Sequence, residues 1–113
     1  MTEFEAMMLS IAIESPLAFA MVSLAGWPCR GPLHAAIAVM LATAVTHPQL
    51  WAASLWLYPQ IGYWPTVGVT EALVILAEAT IIAWVTGLSP ARALVISGIA
   101  NGASTLAGLA LFA

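Results

Sequence analysis

Two glutamates, Glu71 and Glu78, lie seven residues apart inside a long apolar stretch of this sequence. Seven residues make almost two turns of an α-helix, so both carboxyl groups fall on one helix face, about 10 Å apart along the axis. Acidic side chains in membrane-length apolar segments face protein or water rather than lipid, and they often form proton relays or ion paths. The pair therefore predicts either hydrogen bonds between helices or a path for protons or cations.

Two further titratable groups stand next to prolines in the apolar segments. Glu14 precedes Pro16 by two residues, and His47 directly precedes Pro48. A proline inside a helix has no N–H to donate, so the carbonyl four residues earlier loses its helical partner. Such a carbonyl beside a titratable group binds a cation or a water, or accepts a hydrogen bond from a neighbouring side chain. Glu14 and His47 are therefore predicted members of the same path.

The last apolar segment carries a stripe of small and polar residues at helical spacing. The stripe consists of Ser97, Asn101, Ser104 and Gly108, with Gly98 and Gly102 as a small-xxx-small pair beside it. Small residues allow a second helix to approach closely, and polar residues hydrogen-bond across the interface. This face is expected to pack against other helices. Asn101 both donates and accepts, so it is the expected partner of Glu78 near the membrane midplane.

A metal site made of Glu14, Glu71 and His47 is chemically possible, because imidazole and carboxylate suit zinc, manganese or iron. No His-Glu-x-x-His or Glu-x-x-His spacing supports such a site, and Cys29 is the only cysteine. The sequence also contains no Gly-x-Ser-x-Gly elbow and no glycine-rich phosphate loop. An enzyme is therefore the less favoured class, and the metal or cofactor, if any, stays open.

The composition predicts an integral membrane protein. Of the 113 residues, 63% are hydrophobic and 6% are charged, whereas a soluble domain carries about 25% charged residues. The chain has two arginines, five glutamates, no lysine and no aspartate, so it cannot cover a water-exposed surface. It also lacks the basic patch that phosphate contacts require, which argues against nucleic-acid binding. The expected environment is the lipid bilayer.

Turn signals divide the chain into four apolar spans. The predicted spans cover residues 6–26, 33–58, 66–86 and 90–113, separated by segments rich in proline and glycine. The second span is expected to be one helix kinked at Pro48, because residues 33–47 alone would rise about 22 Å, less than the bilayer core of about 30 Å. The alternative is a shorter helix followed by a segment in the interface. The predicted fold is an all-α membrane protein, a four-transmembrane-helix bundle forming a single domain over residues 1–113.

The two arginines predict the orientation of the chain. Arg30 lies between the first two spans and Arg92 lies at the start of the fourth, so both fall on the same side of a four-span protein. Positively charged residues favour the cytoplasmic side. Both termini, together with the aromatic-rich turn at residues 59–65, are then expected outside the cytoplasm. The acidic leader at residues 1–5 does not resemble the basic start of a cleaved signal peptide, so the first span is expected to be retained.

Three classes of function agree with these features. The first is a packing subunit of a homo-oligomer or of a larger complex with other membrane subunits, in which buried glutamates bond between helices. The second is a proton- or cation-conducting transporter that uses Glu71 and Glu78, with Glu14, His47 and Asn101 along the path. The third is an intramembrane hydrolase. The short loops leave no room for a water-soluble site, so each class places its chemistry inside the helices.

Overall fold

Residues 2–112, which this computed structural model describes, form four α-helices. They are α1 (Glu3–Ala25), α2 (Pro32–Ile61), α3 (Tyr63–Thr86) and α4 (Pro90–Phe112). All four are long and apolar enough to cross a membrane. The prediction of an all-helical chain with four span-length segments is therefore confirmed, while Ala113, the predicted end of the fourth span, lies outside the described residues.

The four helices surround a common interior. Each helix packs against the next along the chain, and α4 packs back against α1. Helices α1 and α3 are thus diagonally opposite each other, as are α2 and α4. Short connections make successive helices run in opposite directions. The end that holds the start of α1, the last turn of α4 and Gly62 is called the terminal end, and the end with Arg30 and Arg92 is called the arginine end.

The junction between α3 and α4 follows its sequence signals. Gly87 ends α3 in the left-handed conformation, with φ of 77°, and its N–H donates to the carbonyl of Ala83. The hydroxyl of Ser89 accepts a hydrogen bond of 3.3 Å from the N–H of Arg92, and Pro90 is the first residue of α4. Gly87 thus forms the helix end, Ser89 the N-cap and Pro90 the first-turn proline, as the preferences of these residue types favour.

The prediction of a turn over residues 59–65 is wrong. Helix α2 continues through Pro59, and α3 starts directly after Gly62. Gly62 has φ of 87° and ψ of 175°, backbone angles that are open mainly to glycine. Pro65 does not interrupt α3 because it lies in the first helical turn, where the backbone N–H groups have no helical partner to lose. A single glycine therefore makes the whole connection.

Helix α2 is continuous through Pro48. This excludes the alternative of a short helix followed by an interfacial segment and confirms that the second apolar segment is one long helix. The predicted kink at Pro48 stays a prediction.

The interior at the arginine end is apolar and closely packed. Its core is formed by Ala18, Val22, Ala35, Ala38, Val39, Ile82, Leu88, Ala93 and Ile96. Outside this core, the Arg30 side chain donates to the backbone carbonyls of Trp84 and Val85, and the Arg30 N–H donates to the carbonyl of Thr86 at 3.0 Å. These bonds satisfy carbonyls that the C-terminus of α3 leaves without helical partners. The buried acids lie nearer the middle of the interior, whereas the buried Thr86 hydroxyl at the arginine end donates to the Ile82 carbonyl of its own helix.

The backbone of Gly62 yields a direct test of the α2–α3 junction. A Cβ atom at either Gly62 or Gly68 would meet no heavy atom within 4 Å, but only Gly62 has a positive φ. We expect Gly62→Ala to reduce the free energy of unfolding by about 1–3 kcal/mol, since alanine is strained in that conformation. Gly68→Ala, the matched control inside α3, is expected to leave it unchanged or higher. The thermal unfolding midpoints of the two variants in detergent measure these changes. Equal shifts of the midpoint in Gly62→Ala and Gly68→Ala would contradict this account of the junction.

Candidate functional site

Polar side chains from all four helices meet in the interior near its middle. This polar cluster consists of Glu14 from α1, Thr43 and Thr46 from α2, Glu78 from α3, and Asn101 and Ser104 from α4. Its two acids are almost completely buried, with exposed fractions of 1% for Glu14 and 2% for Glu78. Because α1 and α3 are diagonally opposite, the acids approach each other across the centre of the protein.

Glu78 has a donor on each side of its carboxyl group. The Asn101 side-chain amide donates to Glu78 Oε2 at 2.9 Å, and the Thr46 hydroxyl lies 2.9 Å from Glu78 Oε1. The contact between Asn101 and Glu78 is the one predicted from their depth in the spans. Asn101 is itself held by the carbonyl and hydroxyl oxygens of Ser97, one turn earlier in α4. The carboxyl group of Glu78 is therefore fixed from two neighbouring helices.

One hydroxyl group lies between the two buried acids. The Thr43 Oγ1 atom is 3.4 Å from Glu14 Oε1 and 3.5 Å from Glu78 Oε1, both longer than a usual hydroxyl hydrogen bond of about 2.7 Å. A hydroxyl has one proton, so it donates to only one of the acids at a time. The other oxygen of Glu14 receives a shorter bond of 2.7 Å from Ser104. Thr43 thus links Glu14 to Glu78 without holding either one tightly.

The hydrogen bonds of the cluster are compatible with more than one distribution of protons. The Thr46 hydroxyl lies 2.8 Å from the carbonyl of Ala42 as well as close to Glu78, and the Ser104 hydroxyl lies 3.1 Å from the carbonyl of Asn101. When such a hydroxyl donates to the carbonyl, it has no proton left for the acid, and a protonated carboxyl then donates to the hydroxyl oxygen instead. The cluster can therefore gain or lose a proton while its hydroxyl groups stay hydrogen-bonded.

Glu71 lies on the same face of α3 as Glu78 but closer to the terminal end. Its Oε2 accepts a bond of 2.8 Å from the Thr105 hydroxyl, which links α3 to α4. Its Oε1 is buried and has no hydrogen-bond partner among the described residues. Both acids line one cavity, as the seven-residue spacing predicts. Glu71 is therefore an additional acid on the terminal side of the cluster, with one oxygen free to interact with water or a cation.

His47 does not join the polar cluster. Its Nδ1 lies 3.3 Å from Glu3 Oε1, and its ring stacks on Trp51 with 6.1 Å between the ring centroids. Sequence reasoning missed Glu3 as a partner because it placed the first span from residue 6 onward, whereas α1 begins at Glu3. The position of His47 in the outer half of α2 was the one indication that it could meet a residue near the start of α1. His47 and Glu3 form a separate pair at the terminal end.

The acids share a cavity of about 170 Å³. Glu14, Glu71, Glu78 and His47 all contribute to its walls, together with Asn101. At about 30 Å³ per water molecule, this space holds several waters. No arginine or lysine is among the described lining residues, because Arg30 and Arg92 lie at the arginine end. The cavity is therefore an acid-lined space without an arginine or lysine, and its one described imidazole, that of His47, lies against Glu3.

The residues proposed as metal ligands are not arranged for that role. Among residues 2–112, no group of three histidine, cysteine, aspartate or glutamate side chains could hold a metal ion. Glu14 bonds to Ser104 and Thr43, Glu71 bonds to Thr105, and His47 pairs with Glu3. The metal set Glu14, Glu71 and His47 is thus not assembled.

The small and polar stripe of α4 divides into two parts. Ser97 donates to the carbonyl of Ile75 at 2.8 Å, while Ser104 binds Glu14 and Gly108 lines the cavity. By contrast, a Cβ atom at Gly98 or Gly102 would meet no heavy atom within 4 Å. The space beside Gly98 and Gly102 is therefore not filled by described residues of this chain, and their role in close helix packing stays a prediction.

Chemically, the arrangement is suited to holding and exchanging protons or small cations in a buried site. Three carboxyl groups, five hydroxyl groups, one amide and one imidazole are among the described groups that line a single cavity. No known protein family, curated protein or solved structure matches this chain.

The link made by Thr43 is testable by removing its hydroxyl group. We expect Thr43→Val to lower the free energy of unfolding by about 1–3 kcal/mol, since it leaves buried carboxyl oxygens with one donor fewer. It should also shift the infrared carbonyl band of protonated carboxyl groups. Thr43→Ser is expected to preserve both properties. The control is Thr80→Val, because the exposed Thr80 hydroxyl binds only the Leu76 carbonyl of its own helix. Equal effects of Thr43→Val and Thr80→Val would contradict the link.

Proposed function

We propose that this protein spans a membrane with all four helices and that its polar cluster binds and moves protons or small cations. The membrane location is supported by the outer surface, where large apolar side chains are strongly exposed. Examples are Leu24 at 88%, Trp84 at 82% and Leu106 at 68%. Bulky apolar side chains on the outside and acids on the inside are energetically favourable in lipid and unfavourable in water.

The observation that carries the transport proposal is the shared hydroxyl between two buried acids. Glu14 and Glu78 reach the centre from opposite helices, and Thr43 lies within 3.5 Å of both. Acids that only joined helices would need one fixed set of hydrogen bonds. This cluster instead keeps alternative acceptors for its hydroxyl groups, borders a cavity large enough for several waters and has no arginine or lysine among the described residues around it. Those are properties that a site of reversible proton or cation binding requires.

The order of the acids along the axis supports a stepwise path. A proton or cation entering from the terminal end would meet Glu71 first, whose Oε1 has no described partner. Glu14 and then Glu78 lie further in, because their partners on α4 are Ser104 and, about one turn nearer the arginine end, Asn101. Thr43 lies close to both acids. Beyond the cluster, the apolar core at the arginine end closes the path. Complete transport therefore requires the helices to separate at that end, in the manner of alternating access.

The orientation of the path follows from the arginines. With Arg30 and Arg92 on the cytoplasmic side, the terminal end of the protein and the part of the acid-lined cavity nearest to it face the outside. In this proposal the described conformation is the outward-facing one.

Flux measurements in proteoliposomes test the transport proposal. Glu78→Gln and Glu14→Gln keep the size and most hydrogen bonds of the side chains but remove the exchangeable charge, so we expect proton or cation flux to fall at least about tenfold. Glu5→Gln serves as the control because Glu5 is exposed on α1. An internal pH-sensitive dye reports proton entry under an imposed membrane potential. Unchanged flux in correctly folded Glu78→Gln and Glu14→Gln proteins would dismiss the proposal.

A second candidate function is a packing subunit of an oligomer or a larger membrane complex. The observation in favour of it is the open space beside Gly98 and Gly102, which lie one turn apart on α4. In membranes, such a small-residue pair commonly receives a helix of another chain. The two functions are compatible, since small membrane carriers can act as oligomers.

Association through α4 can be tested by filling that space. We expect Gly102→Leu to break the contact, so that native mass spectrometry in mild detergent shows the single chain in place of the assembly. Gly68→Leu is the matched control, since a Cβ at Gly68 also meets no atom within 4 Å but lies on α3. A wild-type protein that is monomeric, without partners, and active would argue against the subunit function.

A further inference from the structure

We infer that the groove between α2 and α3 binds an amphiphilic cation, namely an alkylammonium whose aliphatic tail lies in the groove and whose charged head reaches Glu78 past Thr46. This inference rests on the proposed function, because it names a substrate class for the same acids. Three observations support this inference. They are the size of the groove, the thin layer of side chains between the groove and the acids, and the charge of those acids.

The groove has the size and character of a small-molecule site. Its volume is about 400 Å³, within the range of roughly 300–1,000 Å³ that is usual for ligand pockets. Its walls are mainly aliphatic and include Val45, Leu50 and Ala53 of α2 together with Leu73, Ala77 and Ile81 of α3. Because several of these side chains lie on the outer surface, a ligand dissolved in the lipid can enter sideways without crossing water.

The groove and the acid-lined cavity share part of their walls. Thr46, Leu50 and Val74 line both spaces, so a single layer of side chains separates them. Thr46 is the polar member of this layer, and its hydroxyl lies 2.9 Å from Glu78 Oε1. The same hydroxyl lies 2.8 Å from the carbonyl of Ala42. Thr46 can therefore release Glu78 to an incoming cation and keep its own hydrogen bond.

The charge behind this wall selects the head group of the ligand. Glu14, Glu71 and Glu78 all border the cavity, no arginine or lysine is among its described lining residues, and the lining imidazole of His47 is paired with Glu3. In a medium of low dielectric constant, a carboxylate without a positive partner attracts a cation strongly and repels an anion. A neutral acyl chain would fill the groove but leave the acids unpaired. An ammonium group with an apolar tail matches both spaces.

Binding of decyltrimethylammonium to the full chain in lipid nanodiscs tests this inference. Radiolabelled ligand is measured by equilibrium dialysis, with empty nanodiscs subtracted to remove partitioning into lipid. The comparison compound is the neutral carbon analogue, in which a tert-butyl group replaces the trimethylammonium head. We expect saturable binding of the cation only. Equal binding of the neutral analogue would overturn the inference, since the groove would then accept any aliphatic chain.

Variants locate the site. Ala77→Trp and, from the facing helix, Ala53→Phe fill the groove, and Glu78→Gln removes the charge; each is expected to weaken binding at least about tenfold. Ala52→Trp, an exposed position of α2 outside the groove lining, is expected to bind as wild type does. Thermal unfolding confirms that each variant is folded. Wild-type binding in both groove variants would overturn the inference.

The outcome also separates this inference from the proposed function. A wild-type protein that conducts protons but binds no decyltrimethylammonium overturns the inference alone. A protein that binds the cation at the groove but conducts neither protons nor cations overturns the proposed function alone.

Discussion

The rest of the structure depends on providing hydrogen-bond partners for two carboxyl groups that are almost completely buried. Leaving such groups without partners costs several kcal/mol each. Their partners come from every neighbouring helix: Thr43 from α2, and Asn101 and Ser104 from α4. Since Glu14 and Glu78 lie on diagonally opposite helices, these bonds fix the rotation and depth of all four helices at once. The polar cluster thus specifies the packing as much as the apolar side chains do.

The two halves of the interior place different demands on the helices. At the arginine end, small residues such as Ala18, Ala35, Ala38 and Ala93 are completely buried, so the helices meet through flat, close surfaces. Flat surfaces can slide over each other with less loss of packing than interlocked large side chains, which is how shear motions between helices operate. The polar half is held by directional hydrogen bonds. An opening at the arginine end therefore demands less rearrangement than a separation of the helices at the cluster.

The sequence predicted the helical content, the common face of the two acids of α3 and the bond from Asn101 to Glu78, because each follows from helical spacing and depth alone. It did not predict the role of Thr43. The polar residues of α2 are not confined to one face, so its sequence does not reveal which of them turn inward until the packing of the other helices is known. The pairing of His47 with Glu3 was missed for a related reason, since it depends on α1 starting several residues before the apolar run. Interactions within one helix follow from residue spacing. Interactions between helices also depend on how each helix is rotated about its own axis, which residue spacing does not determine.

The number of acids helps to distinguish a site from simple helix packing. Neutral serine or asparagine side chains join membrane helices well, and buried ion pairs can often be replaced by apolar side chains without loss of stability. Packing alone therefore gives no reason for three carboxyl groups around one cavity, nor for the buried oxygen of Glu71 that has no described partner. Carboxyl groups differ from the neutral alternatives in one chemical respect, which is that they exchange a proton or attract a cation. A function that depends on proton exchange or cation binding accounts for the three acids and for the alternative acceptors of Thr46. It also accounts for the single layer of side chains between the acids and the apolar groove.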